Sequence, residues 1–169
     1  MNLRRALTGV AIPGIALGLL ASPAAAKSTA TTSSKVVGTV HITSDGTAEV
    51  QAQYTCTIAD PVNNPGHLWV SVKQNDTGTF DPAVAGEGSG FGGVAARWED
   101  SHRNPISCDS RIHVGWFDVD QEEPLWGSDA PKSTVYGPLA KGVGYVQFCL
   151  YDELTGEGGA SDTAFRNVH

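Results

Sequence analysis

Short alternations of apolar and polar residues, separated by turns rich in glycine, proline and asparagine, run through most of the chain. The clearest alternation covers residues 48–58, where every second residue is apolar or aromatic and the residues between them are polar. A period of two predicts a strand with one buried face. No segment keeps a helical period for three turns, so the pattern predicts an all-β domain.

The same pattern predicts further strands elsewhere in the chain. They cover residues 36–43, 68–74, 106–119 and 144–151, with 164–168 as a final edge strand and 94–98 as a short strand or helical turn. Asp45-Gly46 predicts a tight turn between the first two strands, because glycine supplies a positive φ. The number and spacing of the strands predict a β-sandwich or barrel of about seven strands.

The first 26 residues have the three parts of a secretory signal peptide. Arg4 and Arg5 are positively charged, residues 6–20 are apolar and uncharged, and Ala24-Ala25-Ala26 fits a cleavage site. The apolar run is shorter than the roughly 20 residues that a membrane-spanning helix needs. We therefore predict that cleavage after Ala26 releases a secreted, extracellular chain that does not insert into a membrane.

The remainder divides into a polar leader, residues 27–35, and a single β-sandwich domain, residues 36–169. Cleavage removes two arginines and no acids, so the net charge changes from −7 to −9 over the remaining 143 residues. Nucleic-acid partners call for basic patches. The acidic balance therefore predicts no nucleic-acid partner.

The mature chain has three cysteines, Cys56, Cys108 and Cys149. In an oxidising compartment we expect one pair to form a disulfide and one thiol to remain. Cys56 lies on the apolar side of its strand, and Cys108 shares parity with residues predicted to face inward: Ile106, Ile112, Val114 and Trp116. Parity thus favours Cys56–Cys108. The alternative is the immunoglobulin-type pairing Cys56–Cys149, although Gln147 stands where that pattern has a tyrosine.

Four segments of the chain resemble a known family. They are Gly46-Thr47 leading to Tyr54-Thr55-Cys56, the strand 69–74, Cys108-Asp109-Ser110, and the late strand 144–150. In these the chain resembles small secreted actinobacterial proteins of unknown function with an immunoglobulin-like β-sandwich, over most of residues 36–151. The resemblance implies an immunoglobulin-like antiparallel β-sandwich, here of about seven strands with one disulfide. It also implies secretion, and it supports the Cys56–Cys108 pairing. It brings no catalytic residues, and Cys149 departs from the pattern.

The sequence contains no catalytic motif that we can assign. Gly88-Ser89-Gly90 lacks the strand, helix and spacing of a nucleophile elbow, and the histidines form no metalloprotease motif. We therefore predict no catalytic residues, no cofactor and no enzymatic activity. Asp118, Asp120 and Glu122 form a weak calcium candidate, since they lack the glycine and the final glutamate of an EF-hand loop. A solvated acidic loop without a metal is the prediction there.

Outward-facing aromatic residues offer a candidate binding face, made of Trp69, Lys73, Tyr145 and Tyr151. Trp69 has the parity opposite to the apolar residues of its strand, and the two tyrosines lie on the more polar parity of theirs. Tryptophan and tyrosine bury large areas and keep a polar group, so they are enriched where proteins bind partners.

The predicted function is a secreted, non-catalytic binding or adaptor module that recognises an extracellular protein or glycan. By analogy such a module could be a subunit of a secreted, toxin-type assembly. Two alternatives stay open. One is a small secreted hydrolase that uses His67, His102 or His113 with a carboxylate, and the other is a carrier of a small ligand.

Overall fold

The structure is a computed structural model, and it describes residues 32–56, 66–86, 94–103, 106–121, 129–151 and 158–169. It contains seven strands: β1 Ser33–Ile42, β2 Ala48–Thr55, β3 His67–Gln74, β4 Arg97–Arg103, β5 His113–Val119, β6 Gly142–Tyr151 and β7 Gly158–Val168. Two short 3₁₀ helices cover Pro82–Gly86 and Lys132–Thr134. The described residues form no α-helix, so the all-β prediction is confirmed.

The predicted signal peptide and residues 27–31 of the predicted leader lie outside the described residues. Within the described ranges, no helix is long and apolar enough to cross a membrane. β1 begins at Ser33, three residues before the start expected from its apolar pattern.

All seven strands belong to one mixed sheet in the order β4-β3-β6-β7-β1-β2-β5. Neighbouring strands are antiparallel except β7 and β1, which are parallel. The sheet curls until its two outermost strands meet. There the Asp100 and Asp120 backbones exchange hydrogen bonds, with N···O distances of 2.9 and 3.2 Å. The concave face encloses the core.

The core is built by the alternation that the sequence predicts. In β2, β3 and β6 every second side chain is buried, and most of the residues between them on β2 and β6 are half-buried. The buried set on these strands comprises Ala48, Val50, Ala52, Tyr54, Leu68, Val70, Val72, Val146, Phe148 and Leu150. Periodicity therefore assigned the inward faces of these strands correctly.

The β1–β2 turn forms as the Asp-Gly pair predicts. Gly46 has a φ of 93°, in the left-handed region that favours glycine. The Asp45 carboxylate accepts hydrogen bonds from the Thr43 and Thr47 hydroxyls and from the Thr47 N–H. These bonds lower the pKa of Asp45, the Thr43 hydroxyl contributing most.

β7 differs most from its predicted form. It is eleven residues long and lies in the centre of the sheet, so the prediction of a short edge strand is wrong. From its start to Ala164, the apolar side chains that β7 packs against the core are those of two small residues, Ala160 and Ala164. Because the other residues of this part of β7 are glycine or polar, no apolar alternation identifies β7 as a central strand.

Side chains of β7 supply part of its connection to β1. Gly38 has a φ of 72°, and the register of β1 with β2 shifts between Val36 and Val40. At Val36 the N–H donates to Asp162 Oδ2 over 2.7 Å, and the carbonyl accepts from Arg166 Nη2 over 2.9 Å. The backbone ladder forms further along, between β1 and His169.

The disulfide is Cys56–Cys108, as parity and the family resemblance favoured. The parity assigned to the residues after Cys108 is nevertheless wrong. Ser110 has a φ of 66° and interrupts the predicted long strand before His113, which resets the alternation. The residues predicted to point inward after it are exposed instead: Ile112, Val114 and Trp116. Phe117 and Val119 occupy the core in their place.

Candidate binding face

The outer surface of β4, β3 and β6 carries the candidate binding face. Trp69 on β3 lies beside His102 on β4 and beside Cys149 on β6, according to the strand register. One step along the sheet, His67 lies beside Tyr151. We call the four rings of His67, Trp69, His102 and Tyr151 the aromatic face.

The Trp69 side chain is half-buried and held by a hydrogen bond. Its indole Nε1 donates to Asp100 Oδ2 over 3.1 Å. Asp100 is almost completely buried, at 2% exposure, and its backbone belongs to the contact between β4 and β5. The indole is therefore held by a buried carboxylate on β4.

The two histidines extend this surface on either side of Trp69. The ring centroids of His67 and His102 are 4.9 Å apart in an edge-on arrangement. His102 is 6.3 Å from Trp69, and His67 is 6.1 Å from Tyr151. Rings from three neighbouring strands thus form one continuous cluster.

Tyr151 also contacts the remaining thiol. Its hydroxyl and the half-buried Cys149 share a hydrogen bond, and burial raises the pKa of both groups. Cys149 is the cysteine outside the disulfide. A thiol whose pKa is raised stays protonated at neutral pH and is a poor nucleophile.

Two of the four predicted face residues lie elsewhere. Lys73 does not face solvent, because its side chain is completely buried and its ammonium group lies 4.3 Å from the centroid of the Trp98 ring. Tyr145 packs on Phe165, with centroids 5.2 Å apart, and Phe165 contacts the exposed Phe80. The structure therefore brings Trp69 and Tyr151 into one cluster and leaves Lys73 and Tyr145 out of it.

No protein-family model matches the chain, and no curated protein matches it.

Of the three histidines in the hydrolase alternative, two join the aromatic face. The third, His113, lies outside the aromatic face. It is half-buried and stacked on Tyr54, with ring centroids 5.1 Å apart. Its Nε2 lies 2.8 Å from Asp109 Oδ1, and this bond is the largest cause of the lowered pKa of Asp109. This histidine–carboxylate pair lies next to the disulfide.

The acidic residues of the calcium candidate are engaged through their backbones. The carbonyl of Asp118 accepts a hydrogen bond from the Ser101 hydroxyl, and the Asp120 backbone pairs with Asp100. Glu122 lies outside the described residues. Among the residues that are described, no group of three or more His, Cys, Asp or Glu side chains is placed to hold a metal ion.

Sequence parity placed Trp69 and Tyr151 on the outer surface but gave the histidines no place there. His67 could have been assigned, because it is two residues from Trp69 and shares its side of β3. His102 could not, since β4 carries polar residues on both sides and its register is set only by the folded sheet.

Proposed function

We propose that the chain is a secreted, non-catalytic binding module whose extracellular partner, a protein or a glycan, binds the aromatic face. In this proposal residues 1–26 are a cleaved signal peptide, and the domain is an immunoglobulin-like sandwich of the small actinobacterial family it resembles. The charged, apolar and small-residue parts of the N-terminus support export. The disulfide fits an oxidising compartment.

One observation carries the binding part of the proposal: the rings of the aromatic face are held by contacts within the domain. Asp100 fixes Trp69, and the rings of His67 and His102 lie in contact distance of each other. A preorganised surface loses little side-chain entropy on binding. Flat rings offer apolar area for a sugar ring or a peptide side chain, and imidazole nitrogens offer hydrogen bonds at the rim.

The non-catalytic part of the proposal rests on the state of the groups that could react. Burial keeps the Cys149 thiol protonated at neutral pH. The Asp109 carboxylate is engaged by His113 and by the Arg111 N–H.

Binding can be tested with the protein secreted into culture medium. The wild type, Trp69→Ala and the control Phe80→Ala are each presented to a glycan array and to medium proteins, and bound species are identified by mass spectrometry. Phe80 is an exposed aromatic residue in the other cluster, so it matches Trp69 in chemistry but not in location. We expect Trp69→Ala to lose at least about tenfold in binding and Phe80→Ala to bind like wild type.

Equal binding by wild type and Trp69→Ala would remove the aromatic face from the proposal. The intact mass of the secreted protein checks the export part separately. A chain that begins at Lys27 is expected, and a chain that retains residues 1–26 contradicts it.

A further inference from the structure

Within the described ranges, the N-terminal half of β5 has no paired strand on the side away from β2. The backbone groups of successive strand residues point to alternate sides, and those of Asp118 and Asp120 point toward β4, where they accept or exchange hydrogen bonds. The backbone groups of Val114 and Trp116 therefore point to the same side, away from β2. Among the described residues none hydrogen-bonds to these outward groups.

The same half of β5 carries an apolar stripe on its outer surface. Val114 is 59% exposed and Trp116 is 43% exposed, and Ile112, directly before β5, is 67% exposed and extends the stripe. Natural proteins commonly protect edge strands with charges, prolines or bulges. Residues 112–116 contain no acid, lysine, arginine or proline. An open backbone edge and exposed apolar side chains thus coincide on one short segment.

We propose that this segment is a homodimer interface, in which β5 of two copies pairs antiparallel about a two-fold axis at Val114. Ile112 of each copy then lies opposite Trp116 of the other, and the two Val114 side chains lie opposite each other. Every exposed apolar residue of the stripe meets an apolar residue on the same surface. Such β-branched and aromatic cross-strand pairs stabilise antiparallel sheets.

Competing registers match less well. An axis at Gly115 keeps Val114 opposite Trp116 but places Ile112 opposite Asp118, an exposed acid. It also moves the pairing toward the part of the edge that β4 already occupies. The axis at Val114 avoids both problems, so the stripe is complementary to itself in one register.

The exposed apolar area of the stripe determines how strongly two copies are expected to associate. Its three side chains expose about 300 Å² of apolar surface per copy, against about 800 Å² per partner in a typical stable interface. Backbone pairing and the flanking polar side chains add to it. Both copies carry the same net charge of −7, or −9 after cleavage, which opposes association. We therefore expect a weak dimer that forms toward millimolar concentrations and strengthens as salt screens the repulsion.

Sedimentation velocity between about 1 µM and 1 mM tests the dimer. The wild type is expected to shift from monomer to dimer in this range, and Val114→Lys to weaken association by at least about tenfold. Val135→Lys is the matched control, because Val135 is equally exposed at 65% and is not part of the apolar stripe. It should dimerise like wild type. A monomeric wild type throughout, or a Val114→Lys variant that dimerises normally, would overturn the proposal.

Cysteine cross-linking tests the register and does not depend on a loss of function. In a Cys149→Ser background, Val114→Cys places two thiols opposite each other at the axis, where directly paired strand residues are about 5.5 Å apart between Cα atoms. Mild oxidation should give a covalent dimer. Ile112→Cys should not cross-link, because the two Ile112 positions are four residues apart along the paired strands. Cross-linking of Ile112→Cys without Val114→Cys would reject this pairing.

Discussion

The ammonium group of Lys73 lies over the Trp98 ring at 4.3 Å from its centroid, although Lys73 is at an outward position of β3. Trp98 in turn packs edge-on against Tyr136, with centroids 5.2 Å apart. These two aromatic side chains are themselves buried and cover this end of the outer surface. Lys73 is therefore part of a second, small interior on the side of the sheet away from the main core.

Replacing Lys73 tests this interior. Lys73→Met keeps an unbranched side chain but removes the charge, and we expect it to lower the free energy of unfolding by about 1–3 kcal/mol. Urea unfolding measures the loss. Lys35→Met changes an exposed lysine of β1 and should stay within about 0.5 kcal/mol of wild type. A double-mutant cycle with Trp98→Leu should show coupling of about 1 kcal/mol, and zero coupling would contradict the contact.

Glu99 predicts a pH dependence of stability. The side chain is buried, Oε1 accepts the Leu139 N–H over 3.1 Å, and Oε2 has no hydrogen-bond partner among the described residues. Burial raises the pKa of Glu99 from 4.5 to about 7, opposed by the Leu139 bond and assisted by Asp120. The folded state therefore holds a proton that the unfolded state has released, and stability falls as pH rises from about 4.5 to about 7.

The Glu99→Gln variant isolates this contribution. It should lose that part of the pH dependence and be more stable than wild type at pH 8, by about 1–2 kcal/mol. Unfolding midpoints in urea at pH 5 and pH 8 measure both effects. Glu49→Gln, a half-exposed position on β2, is the control and should keep the wild-type slope. If the wild type is instead more stable at pH 8 than at pH 5, and Glu99→Gln removes that difference, then the predicted direction of the Glu99 effect is wrong.

The side chains that join β7 to β1 predict a local effect at Val36. Asp162→Ala leaves the Val36 N–H without its acceptor, and we expect a loss of about 1–3 kcal/mol. The rate of hydrogen exchange should increase most at the Val36 amide. Thr163→Ala alters the next residue, which points to the exposed side of β7, and should leave that amide protected. Unchanged exchange at Val36 in Asp162→Ala would argue against this bond.

The disulfide predicts a large effect of reduction on stability. Cys56 and Cys108 are 52 residues apart, and closing a loop of that length restricts the unfolded chain by about 4 kcal/mol. Cys56→Ser with Cys108→Ser should lower the melting temperature strongly, whereas Cys149→Ser should change it little. Thiol titration of the denatured wild type should find one free thiol per chain. A count of three would show that the pair is reduced.

The sequence predicted the parts of the fold in which side-chain burial follows a simple period. β2, β3 and β6 bury every second residue because one of their faces lies on the core throughout. On β5 the period was read one residue out of phase, since a single left-handed residue, Ser110, separates it from Cys108. Serine rarely adopts that conformation, so its type gives no warning of the break.

The sequence predicted only those residues of the candidate site whose position follows from the alternation within a single strand. Trp69 and Tyr151 follow from the parity of β3 and β6, whereas the place of His102 follows from pairing between strands. Lys73 was misplaced for a related reason. Its burial depends on Trp98 and Tyr136, which come from later segments and have no periodic relation to β3.

β7, the last of the seven strands in sequence order, is the middle strand of the sheet. Without β7, the chain has two groups of three strands, β4-β3-β6 and β1-β2-β5, and no ladder between β6 and β1. Synthesis from the N-terminus therefore leaves both groups unconnected until β7 emerges, and the sheet is completed by contacts between segments that are distant in sequence. The His169 backbone, directly after β7, bonds to Val40 and Ile42 and completes the connection to β1.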